Sequence, residues 1–235
     1  MQVTICTANC VGQAGNCSYP NKVTVVTPEQ LQEAVKKDHV CAEFKGNYRS
    51  IENFIRSDVI VMDIDNDHTE DASDWIIPEK LEELFPNVEY LLAPSRHHLL
   101  DKEGKSARPR YHMYFPISEI TDASGYASLK RAIQSAYSFF DGNALDAARF
   151  IFGAECDEVI FHEGWMTVDE EVEVSDIEEG FDLEMSGGKS TGPILEGSRN
   201  NTMSRCYGRG CQSRQGIRGC RCSEGFCPSW PEGAS

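Results

Sequence analysis

The sequence has no N-terminal stretch of basic then apolar residues, and no apolar run near the ~20 residues that a membrane span needs. A cytoplasmic protein without a membrane partner is therefore expected. Bases are also scarce. The formal net charge is -16, and no Lys or Arg occurs from Phe150 to Gly188, while thirteen Asp and Glu fall between Glu155 and Glu184. Coating of DNA by charge alone is excluded, but a local basic cleft is not. The ten cysteines include no C-x-x-C pair. Without a secretory signal they read as free thiols or metal ligands rather than disulfides.

A chain of 235 residues can bury a core without staples. Its first clear element is "TPEQLQEAVKKD", with Thr27 as N-cap, Pro28 at the first helical position, Gln30 closing a capping box, and Leu31, Ala34 and Val35 on one face. Val23 to Val26, "VCAEF", "VIVMDID", "VEYLLAPS" and "RYHMYFPI" read as strands, and "EKLEELF" and "ASLKRAIQSAYSFF" as helices. Mixed order of this kind gives an α+β or α/β class. A catalytic domain is expected over residues 1–167, an acidic and Gly-rich linker over 168–195, and a separate segment over 196–235. "GGKS" at 187–190 is not a phosphate loop, because Leu183 stands where the pattern needs Gly and Gly192-Pro193 stops a following helix.

Three stretches carry chemistry. Asp63 and Asp65 end an apolar strand two residues apart, so they share a face, with Asp67 beyond them. Converging carboxylates repel unless a cation lies between, and hard divalent ions such as Mg²⁺ or Mn²⁺ favour oxygen donors; an ordinary acidic turn has the same pattern. A basic island follows from Arg96 to Arg110, through His97, His98, Lys102, Lys105 and Arg108, and leads to His112 on a strand. It suits a triphosphate or a strand backbone as well as a solvated hairpin loop. In "ALDAARF", Asp146 and Arg149 share a face if the segment is helical.

In this order the three stretches resemble the motifs of the archaeo-eukaryotic primase (AEP) superfamily, in particular primase-polymerases of phages and mobile elements. The resemblance covers about residues 1–165, carried by "CAEFKGNYRSIENFIRSDVIVMDIDNDH", "RPRYHMYFPI" and "ALDAARFIFG". "EGSRNNTMSR" from Glu196 resembles the start of the small helical domain that follows such cores, whereas the Cys, Gly and Arg-rich tail after it lacks apolar periodicity and reads as an incomplete end. The resemblance implies an α+β fold: a core with an RNA-recognition-like sheet and helices, plus an N-terminal α/β unit. It implies that Asp63, Asp65 and Asp146 hold two Mg²⁺ or Mn²⁺ ions, that His112 contacts the nucleotide's phosphates, and that Lys45, Arg49, Arg108, Arg110 and Arg149 line the nucleotide's path. The implied activity is metal-dependent transfer from an NTP or dNTP to a 3′-hydroxyl on a single-stranded DNA template, with a replicative helicase as partner. At the position two before the motif His, where the family often has Ser, this chain has Arg110. Two other classes stay open: a metal-dependent nuclease, which would use the same carboxylates, and a non-catalytic nucleic-acid or protein-binding module organised by zinc at Cys6, Cys10 and Cys17. The tail cysteines 206, 211, 220, 222 and 227 lack two close pairs for zinc.

Overall fold

In the computed structural model, which describes residues 1–172, the apolar run before the acids becomes the longest strand and organises everything around it. The elements are β1 (Val3–Thr7), β2 (Asn21–Val25), α1 (Pro28–Val35), β3 (His39–Val40), β4 (Glu43–Phe44), β5 (Phe54–Ile64), α2 (Pro78–Leu84), β6 (Tyr90–Pro94), β7 (Tyr111–Ile120), α3 (Ala123–Ala136), β8 (Phe150–Ile151) and β9 (Ile160–His162). They form two antiparallel sheets, one in the order β2-β1-β3-β8 and the other β4-β5-β7-β6-β9.

The period-two pattern of β5 assigns its faces. Ile60, Met62 and Ile64 join Leu81, Phe115, Tyr126 and Ile133 in a core on the side of α2 and α3. Val59 and Val61 point the other way and pack with Val3, Ile5 and Ile151 of the four-stranded sheet and Leu31, Ala34 and Val35 of α1. The larger sheet is therefore covered on both faces, which is why β5 reads as continuously apolar. Helix α1 has the expected capping box and Pro at its first turn.

Asp38 fastens the smaller sheet to its loops by accepting from the backbone N–H groups of Gly12, Gln13 and Gly153. Burial opposes ionisation of Asp38, but these three donors outweigh it and hold the carboxyl below its usual value. A side chain at position 153 would run into the Lys36 carbonyl, so Gly is required there.

Three expectations change. "VCAEF" is two strands, β3 and β4, belonging to different sheets, because the chain crosses between them at Cys41-Ala42. "ALDAARF" is irregular rather than helical, with a bend at Asp146, a turn at Ala147-Ala148, and Asp146 Oδ1 accepting from Ala148 N at 2.8 Å. A side chain that bonds its own backbone two residues on competes with helix formation. Packing also continues past 167: residues 168–172 are helical, and Val168 and Val172 lie in the core. The remainder of the expected linker and the whole segment 196–235 lie outside the described residues. No helix among the described residues is long and apolar enough to cross a membrane.

Candidate functional site

Where β5 outruns the smaller sheet, its inner face changes from Val59 and Val61 to Asp63. Register places Asp63 directly opposite His112 on β7, and cross-strand partners are close enough for their side chains to meet. His112 Nδ1 lies 2.8 Å from Asp63 Oδ1, and Arg149 donates to Oδ2 at 3.3 Å. Burial opposes the negative charge, but His112 and then Arg149 outweigh it and hold the carboxyl far below the usual range.

Asp65 follows on the loop side. It accepts from Lys102 Nζ at 2.8 Å through Oδ2, while Oδ1 has Arg110 Nε at 3.9 Å. Asn66 turns the chain at once, with φ of 54°, a left-handed conformation that Asn adopts more readily than most residues. Its side chain donates to the Ile76 and Pro109 carbonyls and accepts from Ile76 N, so the turn is pinned from both sides.

The sequence-derived residues separate into two groups. Asp63, Asp65, His112 and Arg149 line one cavity of about 270 Å³, together with Arg96, His97, Lys102 and Asp141. The others lie elsewhere. Asp146 lines a different cavity with Ser124 and Arg131. Lys45 is exposed on a turn, and Arg49 donates to the carbonyls of Ala148 and Asn16.

Arg108 and Arg110 correct the reading of the basic island. Both are wholly buried. Arg108 bonds Glu70 at 2.7 Å and the Asn66 carbonyl at 2.9 Å, while Arg110 donates to the carbonyls of Leu100 and His97 and to Asp67. Their planar forks tie the acidic turn to the basic loop instead of facing phosphate. The cations that reach the cavity are Arg96, Lys102 and Arg149.

Asp141 is a site residue that the sequence reading missed. Its N–H donates to the Asp63 carbonyl at 2.9 Å, and its carboxylate caps Asn143. The available signal was the Asp-Gly-Asn turn directly after Phe139-Phe140.

Among the described residues, no three His, Cys, Asp or Glu side chains stand close enough to hold a metal by themselves. A three-acid set with Asp146, and a thiol set from Cys6, Cys10 and Cys17, are therefore not assembled. Cys6 is buried beside Tyr19 and Val40, and burial pushes its thiol up to about 11. Magnesium, however, is commonly held by one or two carboxylates with phosphate oxygens and water completing the octahedron. Asp63 and Asp65 on one cavity wall fit that kind of site.

No family model matches the sequence, and no curated protein matches it. Among solved structures, the AEP domain of the cyanophage S-2L primase-polymerase (PrimPol) is similar with a TM-score of 0.38 and 12% identity, covering 69% of this chain and 80% of that chain. At that level of likeness neither the fold nor the chemistry of this chain follows from the match.

Proposed function

We propose that this chain is a nucleotidyltransferase of the primase-polymerase kind, adding nucleotides to a 3′-hydroxyl on a single-stranded DNA template. The observation that carries this reading is the single cavity in which a strand-fixed pair of carboxylates, Asp63 and Asp65, meets Arg96, Lys102, Arg149 and His112. Acids alone would suit a bare cation, and bases alone a bare phosphate. Interleaved, they suit a polyphosphate carrying a divalent ion.

Each residue then has a task. Asp63 stays ionised because His112 and Arg149 hold it so. The contact to Asp63 occupies His112 Nδ1 and leaves Nε2 for a phosphate oxygen. Lys102 pairs with Asp65 and Arg149 with Asp63, and each has further N–H donors to offer phosphate oxygens. Asp63 and Asp65 would hold Mg²⁺ or Mn²⁺, which would supply Lewis-acid activation of the attacking hydroxyl and charge neutralisation on the transferring phosphoryl. The 3′-hydroxyl gives its proton to water, its oxygen bonds to the α-phosphorus, the bond from that phosphorus to the oxygen bridging the β-phosphate breaks, and pyrophosphate leaves.

Primer-template DNA, Mg²⁺ or Mn²⁺ and labelled NTPs or dNTPs test the proposal. Lengthened primer, lost in Asp65→Ala, is the expected result. A shortened primer would instead assign the carboxylates to a nuclease, and an unchanged primer with every nucleotide and metal would overturn the transferase reading.

A further inference from the structure

A second cavity, of about 450 Å³, lies beside the charged one, and Ser95 and Arg96 stand in the walls of both. Its chemistry is different. Leu92, Tyr111 and Ile160 are its apolar and aromatic lining residues, whereas Glu155, Asp157 and Glu158 are acidic ones. These carboxylates are the start of the acidic run, which therefore reaches the neighbourhood of the site.

The lining restricts the ligand. Three carboxylates repel an anionic group, and they accept hydrogen bonds without donating any. A purely aliphatic ligand leaves those acceptors without partners. A flat heterocycle with N–H donors satisfies both surfaces, stacking on Tyr111 while its amino group reaches an acid. Tyr111 is braced by His98, whose ring lies 4.8 Å away and whose Nδ1 is 3.0 Å from the Arg110 carbonyl. The volume is in the usual range for small-molecule sites, about 300–1,000 Å³.

Arg96 marks the boundary. Its guanidinium lies 3.7 Å from the centroid of the Phe152 ring, and Phe152 lines the charged cavity. Held by this cation–π contact, it places a positive charge where a ligand passes from one compartment to the other. We propose that, before a template is engaged, the second cavity receives the nucleobase of a nucleotide whose phosphates occupy the charged cavity and favours bases bearing an exocyclic amino group, a contact that the base must release in order to pair with template. This rests on the transferase reading for the phosphate half only.

Calorimetric titration of the full-length protein with inorganic tripolyphosphate, adenosine, ATP and UTP separates the two halves. ATP is expected to bind at least tenfold more tightly than tripolyphosphate and several-fold more tightly than UTP. Leu100 lines the cavity and is 54% exposed, so Leu100→Trp fills the space without disturbing the core. That variant is expected to lower ATP affinity to that of tripolyphosphate and to leave tripolyphosphate unchanged. Asp157→Asn and Glu158→Gln are expected to narrow the gap between ATP and UTP. If tripolyphosphate binds but ATP binds no better and Leu100→Trp changes nothing, the base pocket is wrong and the phosphate site stands. If adenosine binds, is blocked by Leu100→Trp, and tripolyphosphate does not bind, the phosphate reading falls and the pocket stands. Failure of both ligands overturns both.

Discussion

The two faces of β5 follow the same alternation and end differently. On the helix side Ile60, Met62 and Ile64 are apolar to the last residue, closed under α2 and α3. On the other side Val59 and Val61 give way to Asp63, where Arg149, immediately before β8, reaches the strand and the two sheets part. One face therefore stores stability, and the open end of the other holds charge in a fixed geometry. A rigid strand serves both needs because its apolar half locks the acids in place.

The largest effect is expected on the closed face. Phe115 is fully buried and touches the rings of Phe85, Tyr90 and Phe140. Phe115→Ala is expected to cost about 3–5 kcal/mol in denaturant unfolding, the usual range for removing a core ring. A cost under about 1 kcal/mol would mean that this face does not hold the fold.

Next comes His39, behind the charged end. It is fully buried, with Nε2 2.8 Å from the Tyr114 hydroxyl and Nδ1 2.8 Å from the Lys37 carbonyl. Burial lowers its pKa to about 4. The unfolded chain therefore binds a proton near pH 6.5 that the folded chain refuses until about pH 4, so stability falls as pH drops through that window. The loss approaches about 3 kcal/mol by linkage. Asp63 adds nothing to this window, since its lowered pKa loses stability only below the ordinary Asp value of about 4. Unfolding free energies measured from pH 7 to 4 are expected to depend less steeply on pH in His39→Gln; identical slopes would refute the assignment.

How far these features were legible depended on the distance over which they are decided. The α1 cap, the run into Asp63 and the strand bearing His112 are local, and their signals lie within a few residues. The fate of Arg108 and Arg110 was not local. Their partners Glu70 and Asp67 are 38 and 43 positions away, and only folding decides whether a guanidinium meets them or a ligand. The division of "VCAEF" between sheets was hidden for the same reason, because alternation gives a face but not a partner strand. Asp141 enters the site through a backbone bond to Asp63, which no side-chain pattern reports.

Smaller stability effects separate the two acids. Asp63→Ala leaves His112 and Arg149 without their shared acceptor, and is expected to cost about 1–3 kcal/mol. Arg149 is 39% exposed and can turn to water, which favours the lower part of that range. Asp65→Ala breaks a partly exposed pair with Lys102 and is expected to cost no more than about 1 kcal/mol. Both are expected to lose nucleotide incorporation by at least about a hundredfold, the scale of losing a group that stabilises the transition state. Thermal melts beside primer extension check the pair, and a reversed stability order would show that Asp65, not Asp63, is the buried anchor.

The smallest effect is expected at Asp146, and it tests where the open end stops. Asp146 lines a cavity apart from Asp63 and Asp65, and its Oδ1 caps Ala148 N in the turn that presents Arg149. That task needs an acceptor oxygen and no charge. Asp146→Asn keeps the oxygen and is expected to retain near-normal incorporation, whereas Asp146→Ala loses the cap, destabilises by about 1 kcal/mol as capping losses do, and loosens Arg149. A metal ligand behaves otherwise, because an amide is a much poorer partner than a carboxylate for a hard cation. Incorporation measured across a magnesium titration therefore distinguishes the two. Equal inactivity of Asn and Ala, relieved by raised Mg²⁺, would put Asp146 among the metal-holding acids and require the turn from Ala144 to Arg149 to close onto Asp63 when substrate binds.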